Sequence, residues 1–128
     1  MTAHASGFSV AVVDDDESVL RSLEYLLESA DHAVRMFTSG ASLLDSGCLP
    51  EIDCLISDID MPGMDGLELL RLVRAARPGL PLIVITGYPE TLQRLPSVNA
   101  GDIRYFTKPF RGPDLLAAVG DVLRNSPA

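Results

Sequence analysis

Five short runs of β-branched and apolar residues alternate along this 128-residue chain with longer connecting segments, and that alternation restricts the fold to βαβ units around a parallel sheet. The runs are Ser9 to Val13, Ala33 to Phe37, Cys54 to Asp58, Pro81 to Thr86 and Ile103 to Thr107. The third and fourth are almost wholly apolar, as strands covered on both faces must be. After the first run, Val19, Leu20, Leu23, Leu26 and Leu27 fall on one helical stripe, with Arg21, Glu24 and Glu28 off it. Ser39 can cap a short second helix that carries Leu43 and Leu44. Pro62-Gly63 turns the chain, and Asp65 with Glu68 forms a capping box for a third helix with Leu69, Leu70, Val73 and Ala76 inward, ended by Arg77-Pro78-Gly79. Gly112-Pro113 opens a last helix with Leu115, Leu116, Val119, Val122 and Leu123 on one stripe. The fourth crossover, Tyr88 to Gly101, reads as an irregular helix, because Pro96 sits where its middle should be.

A chain of this length holds one hydrophobic core, so residues 1–128 are expected to form a single domain with loose ends at 1–7 and 125–128. Ten basic against 18 acidic residues leave a formal net charge of −8, which weighs against nucleic acid and anionic lipid and favours cations or basic partner surfaces. Cys48 and Cys54 match no zinc spacing and make no disulfide framework, so they read as buried thiols in a reducing compartment. No stretch has the length of a signal peptide core or a membrane span, and a soluble cytoplasmic protein is expected.

In open parallel sheets the ligand site lies beyond the carboxyl ends of the strands, so the residues that end each strand are the informative ones. The first strand runs into Asp14, Asp15, Asp16 and Glu17, the third ends in Asp58, the fourth in Thr86, and the fifth runs into Lys108-Pro109. Each has a plain structural explanation: an acidic run can cap a helix, an Asp can start a turn, a Thr suits a strand and a Lys can be a solvated charge. Their convergence on one edge is harder to explain that way. Clustered carboxylates repel, and a hard cation with oxygen ligands, Mg²⁺ above all, resolves the conflict. Asp14, Asp15 and Asp58 with Lys108 and such a metal make a nearly neutral site that can accept one phosphoryl group. Asp58 would then be the nucleophile, with Thr86 donating to one phosphoryl oxygen and Lys108 balancing another.

The elements Val12-Val-Asp-Asp-Asp-Glu17, Ser57-Asp-Ile-Asp-Met-Pro-Gly-Met-Asp-Gly66, Ile83-Val-Ile-Thr-Gly87 and Phe106-Thr-Lys-Pro-Phe110 closely resemble the receiver domain of bacterial two-component response regulators. The likeness covers nearly the whole chain, and the intervals from Asp15 to Asp58, Thr86 and Lys108 are similar to those of nitrogen-fixation-type regulators. The resemblance implies a flavodoxin-like, doubly wound five-stranded parallel sheet of order 2-1-3-4-5 flanked by helices. It implies Asp58 as phosphoacceptor, Asp14 and Asp15 as the acid pair at Mg²⁺, and the carbonyl of Asp60 as a further metal ligand. It also implies a switch, in which Thr86 moves toward the phosphoryl group and Tyr105 turns inward, and a cis Lys108-Pro109 bond. The phosphodonor is a histidine kinase or histidine phosphotransfer protein, since His4 and His32 are badly placed for that role. The readout is a downstream protein, an output domain or a phosphorylation-dependent dimer. On this reading the chain phosphorylates and dephosphorylates itself and is otherwise not an enzyme.

Two departures stand out. The prolines of the fourth crossover put the family's usual output face in question. Asp60 and Tyr88, two residues beyond Asp58 and Thr86, place a carboxylate and a polar ring where relatives vary, and replacing them by Asn and Ala is expected to change the decay of the phosphorylated form. Arg71, Arg74 and Arg77 lie at helical spacing, read as a solvated helix end or a docking ridge. Two other functions compete. A haloacid-dehalogenase-type phosphatase fits Asp58-Ile-Asp60 but wants its second acid pair after the lysine. A receiver-shaped interaction module would work without phosphorylation.

Overall fold

The structure, a computed structural model, describes residues 7–61, 66–88, 90 and 103–125. In chain order these form β1 (Ser9–Val13), α1 (Glu17–Glu28), β2 (Ala33–Phe37), α2 (Gly40–Ser46), a 3₁₀ turn (Leu49–Glu51), β3 (Cys54–Asp58), α3 (Gly66–Ala76), β4 (Leu82–Thr86), β5 (Ile103–Thr107) and α4 (Gly112–Asn125). The strands make one sheet of order β2-β1-β3-β4-β5. Every neighbouring pair is parallel, as the resemblance implies. β4 starts at Leu82, one residue later than its apolar run suggests.

Successive residues of a strand point to opposite faces, and both faces are covered here. Val10, Val12, Cys54, Ile56, Ile83 and Ile85 pack on one side against Leu20, Leu23 and Leu27 of α1 and Leu115, Val119 and Val122 of α4. Ala11, Val13, Leu55, Leu82 and Val84 pack on the other against Leu43 of α2 and Leu69, Leu70 and Val73 of α3. Each such leucine or isoleucine stabilises the fold by roughly 1.5–3 kcal/mol relative to an exposed one. The core thus lies in two sheets of side chains, and every strand of the central trio delivers its last residues to the same open edge.

Local chemistry fixes the helix starts. Asp16 caps α1, its carboxylate accepting from the Ser18 N–H at 2.9 Å and the Ser18 hydroxyl at 2.7 Å, and these bonds lower its pKa. Ser39 caps α2 by accepting from the Ser42 N–H at 3.0 Å, and Gly47 closes that helix in the left-handed region at φ 72°. Gly66 opens α3 against the loop after β3, where a Cβ would come within 2.4 Å of the Ile59 Cα.

α3 departs from expectation at its end. Ala76 is exposed, and the arginines beside it carry the contacts. Arg74 Nη1 donates to the carbonyls of Pro78 and Leu80, each at 2.7 Å, and Arg77 Nη1 donates to the carbonyls of Leu49 and Ile52. These two side chains therefore tie loops to the helix end instead of forming a solvated or docking ridge; Arg71 is exposed. Cys48 and Cys54 are buried free thiols, and burial pushes Cys54 up to about 12. The turn at Pro62-Gly63, the Asp65 half of the capping box, Pro96 with most of the fourth crossover, and residues 1–6 and 126–128 lie outside the described residues. Among the described residues no helix is long and apolar enough to cross a membrane.

Candidate functional site

The sheet order places β1 and β3 side by side, with Val13 paired to Ser57, so the residues that follow them share one pocket. Among the described residues the buried polar ones are Asp14 (1% exposed), Ser57, Asp58 (3%) and Thr86 (0%), and all four sit at this edge. Carboxylate oxygens of Asp14, Asp15 and Asp58 lie within 4.8 Å of one another, with Asp15 on the exposed side. The acidic run of residues 14–17 is thereby divided. Asp16 serves the helix, while Asp14 and Asp15 face Asp58.

Lys108 reaches in from beyond β5. Its Nζ lies 2.8 Å from Asp58 Oδ2 and 3.4 Å from Asp14 Oδ2. Its backbone is fixed by an N–H bond of 2.8 Å to the Thr86 carbonyl, and the Lys108-Pro109 peptide is cis. Burial alone would lower the lysine pKa, but the hydrogen bond and charge of Asp58, with Asp14 behind it, outweigh burial and hold it above the ordinary lysine value. Burial is also the main influence on Asp14, whose carboxyl is raised despite a 2.9 Å bond from the Asp16 N–H; the negative charge of Asp58 adds to the rise and Lys108 opposes it. Three carboxylates and one ammonium leave the pocket with net negative charge. Its donors are oxygens alone, and that set suits a hard divalent cation such as Mg²⁺.

Asp60 is where the arrangement differs most from expectation. Its carboxylate turns across the gap to β4, where Oδ2 accepts from the Thr86 hydroxyl and from the Gly87 N–H, each at 2.7 Å. Its own N–H donates to Asp58 Oδ1 at 2.7 Å. Thr86 Oγ1 in turn accepts from the Tyr88 N–H at 3.0 Å. Thr86 is thus engaged with Asp60 and not with Asp58. The signal was available in the sheet register: Asp58 pairs with Ile85, so two residues further on Asp60 comes level with Gly87. Tyr105 is 44% exposed on the edge strand and Tyr88 is 60% exposed beside the pocket. A groove of about 760 Å³ adjoins Lys108 along α1, lined by Val19, Tyr25 and Leu26 of that helix and by Pro109 and Phe110 of the loop after β5, among others; the sequence pattern does not reveal it, since it forms only where α1 and that loop, far apart in the chain, come together.

The acid pair precedes Asp58 in the chain and directly follows β1, an order that does not fit the phosphatase reading, which is set aside. The family described as response regulator receiver domain matches residues 10–120. The transcriptional regulatory protein FixJ of Azorhizobium caulinodans is 38% identical over 110 residues, covering 86% of this chain and 52% of that protein. The chain spans about half the length of the curated relatives it matches. A CheY-like response regulator receiver domain protein of Methanospirillum hungatei superposes with a TM-score of 0.80 at 30% identity, over 94% of this chain and 96% of that one. The beryllofluoride-activated DrrB receiver domain gives 0.80 at 28% identity, over 91% and 97%. Strand order, an acidic pocket at the correct edge and a family match across nearly every element lead to one conclusion: the chain belongs to the receiver domains of two-component response regulators.

Proposed function

We propose that Asp58 is the phosphoacceptor of this receiver and that Asp14, Asp15, Thr86 and Lys108 serve the transfer. The observation that carries this is the 2.8 Å contact between Lys108 Nζ and Asp58 Oδ2 inside a pocket shared by three carboxylates. A carboxylate oxygen of Asp58 attacks the phosphorus of a phosphohistidine, the P–N bond breaks, the imidazole leaves with a proton, and an acyl phosphate forms. Lys108, kept protonated by its partners, moves from pairing two carboxylates to balancing the new phosphoryl charge. The Asp14, Asp15 and Asp58 carboxylates with the Asp60 carbonyl would hold Mg²⁺, which when bound supplies charge neutralisation for phosphoryl oxygens. Hydrolysis reverses the modification: water attacks phosphorus, the P–O bond to Asp58 breaks, and inorganic phosphate and the free carboxylate return. The chain turns over no other substrate.

The donor is a histidine kinase or a histidine phosphotransfer protein, and the largely apolar groove along α1 that Lys108 helps line is the surface on which it would dock, beside the acidic pocket. Thr86 and Tyr105 are the pair that changes state, and an output domain, a downstream protein or a second copy reads the change in the cytoplasm. Treatment with acetyl phosphate and Mg²⁺ followed by intact mass measurement tests the assignment. A phosphoryl adduct on the wild type that is absent from Asp58→Asn and decays with time is expected. No adduct on the wild type would leave a phosphorylation-independent interaction module instead.

A further inference from the structure

The Thr86 hydroxyl carries one proton, and two acceptors stand within reach of it. Asp60 Oδ2 is at 2.7 Å and is charged, whereas the Tyr88 carbonyl is at 3.3 Å and neutral, so the proton goes to Asp60. The hydroxyl oxygen is meanwhile occupied by the Tyr88 N–H at 3.0 Å. Asp60 is no looser than its guest. Its second bond, from the Gly87 N–H at 2.7 Å, ties the same carboxylate oxygen to the residue after Thr86, and its own N–H is anchored on Asp58 Oδ1 at 2.7 Å. Asp58, Asp60 and Thr86 are thus joined by an unbroken chain of hydrogen bonds between the ends of β3 and β4.

We propose that Asp60 is a positioning residue that holds the Thr86 hydroxyl off the phosphoacceptor, so that the Thr86–Asp60 bond must break before Thr86 can serve a phosphoryl oxygen. This rests on the reading of Asp58 as phosphoacceptor and adds to it a residue that sets how readily the loaded state is reached. A loading group can shift a two-state element only by its differential interaction with the two states. A strong acceptor in the unloaded state therefore subtracts directly from the affinity for any group that needs Thr86. The Asp58 Oδ1 that anchors the Asp60 N–H belongs to the reacting carboxylate, so loading disturbs the latch at its root as well as at its tip.

The test uses the whole chain, with beryllofluoride and Mg²⁺ as the phosphoryl mimic and the Thr86 χ1 rotamer, from three-bond NMR couplings, as a second readout. Asp60→Ala is expected to tighten beryllofluoride binding about tenfold, the ratio that ~1.4 kcal/mol of charge-assisted hydrogen bond corresponds to. Asp60→Asn, which keeps an acceptor oxygen without the charge, should fall between wild type and Asp60→Ala. In a Thr86→Ala background the gain from Asp60→Ala should vanish. An equal gain in both backgrounds would assign the effect to repulsion between Asp60 and the bound anion and would overturn the proposal. In the unmodified, metal-free protein, Thr86 should show one rotamer in wild type and Asp60→Asn and averaging in Asp60→Ala. A single unchanged rotamer in Asp60→Ala would also overturn it. If wild type takes up no beryllofluoride while the rotamer is released as expected, the latch stands and the phosphoacceptor reading of Asp58 is what falls.

Discussion

Replacing Asp14 by Asn should stabilise the metal-free protein, and the magnitude follows from its neighbours. At an effective dielectric of about 20, Asp58 within 4.8 Å costs Asp14 at least ~3.5 kcal/mol, while Lys108 at 3.4 Å returns ~5 kcal/mol. The difference is largely cancelled by Asp15, which shares the cluster but is exposed and screened. Charge–charge effects therefore come close to zero, and burial decides. Taking a carboxylate out of water costs several kcal/mol, of which the bond from the Asp16 N–H returns roughly 1.5–3 kcal/mol. Asn keeps that acceptor and the shape while removing the charge, so a gain of about 1 kcal/mol, or roughly 3–5 °C in Tm, is expected in chelator. Mg²⁺ at about a hundred times its Kd should stabilise the wild type by ~2.7 kcal/mol and reverse the order. Paired urea titrations with and without Mg²⁺ measure both differences. A less stable Asp14→Asn in chelator, or an order that Mg²⁺ leaves unchanged, would refute the reasoning.

Gly66→Ala should destabilise by more than about 2 kcal/mol in the same titration, because its Cβ would meet backbone atoms of Ile59 at 2.4 and 2.6 Å, which cannot give way as a flexible side chain would. Ser39→Ala removes the cap of α2 and should cost about 1 kcal/mol, read as a lower Tm with an unchanged circular dichroism spectrum. Burial holds His32 below its ordinary pKa, with Asp31 opposing, and its Nδ1 accepts from the Phe8 N–H at 3.3 Å. Its contribution to stability is therefore full above the unfolded value of 6.5 and is lost as pH falls through the lower folded value, so His32→Asn should flatten the stability loss below pH 6.5. The Cys54 thiol, raised to about 12 by burial, should react with an aromatic disulfide reagent at pH 8 only as fast as the protein unfolds.

The strands were legible because sheets covered on both faces demand unbroken apolar runs, and Cys54 to Asp58 and Leu82 to Thr86 supply them. The pocket was legible because strand ends converge whatever the loops do. Directions of individual side chains were not. Asp60 reads in the sequence as one more acid beside a metal, and only the register with Gly87 shows that its carboxylate has backbone and hydroxyl donors waiting across the strand gap. Ala76 fits the apolar stripe of α3, yet a methyl group competes poorly with the long stems of Arg74 and Arg77, which find loop carbonyls to satisfy. The run of four acids at residues 14–17 could be divided between cap and pocket only once the start of α1 was fixed at Glu17.

The arginine ties at the end of α3 have a mechanical consequence. Arg77 fastens that helix to the 3₁₀ turn before β3, and Arg74 fastens it to the approach to β4, so the rim opposite the acids is cross-braced through four guanidinium-to-carbonyl hydrogen bonds. A body stiffened at one pole concentrates its compliance at the other. If Asp58 is phosphorylated as proposed, small shifts around it would then have little outlet downward through the sheet, and would travel sideways toward the loops and helices that a neighbouring molecule can feel.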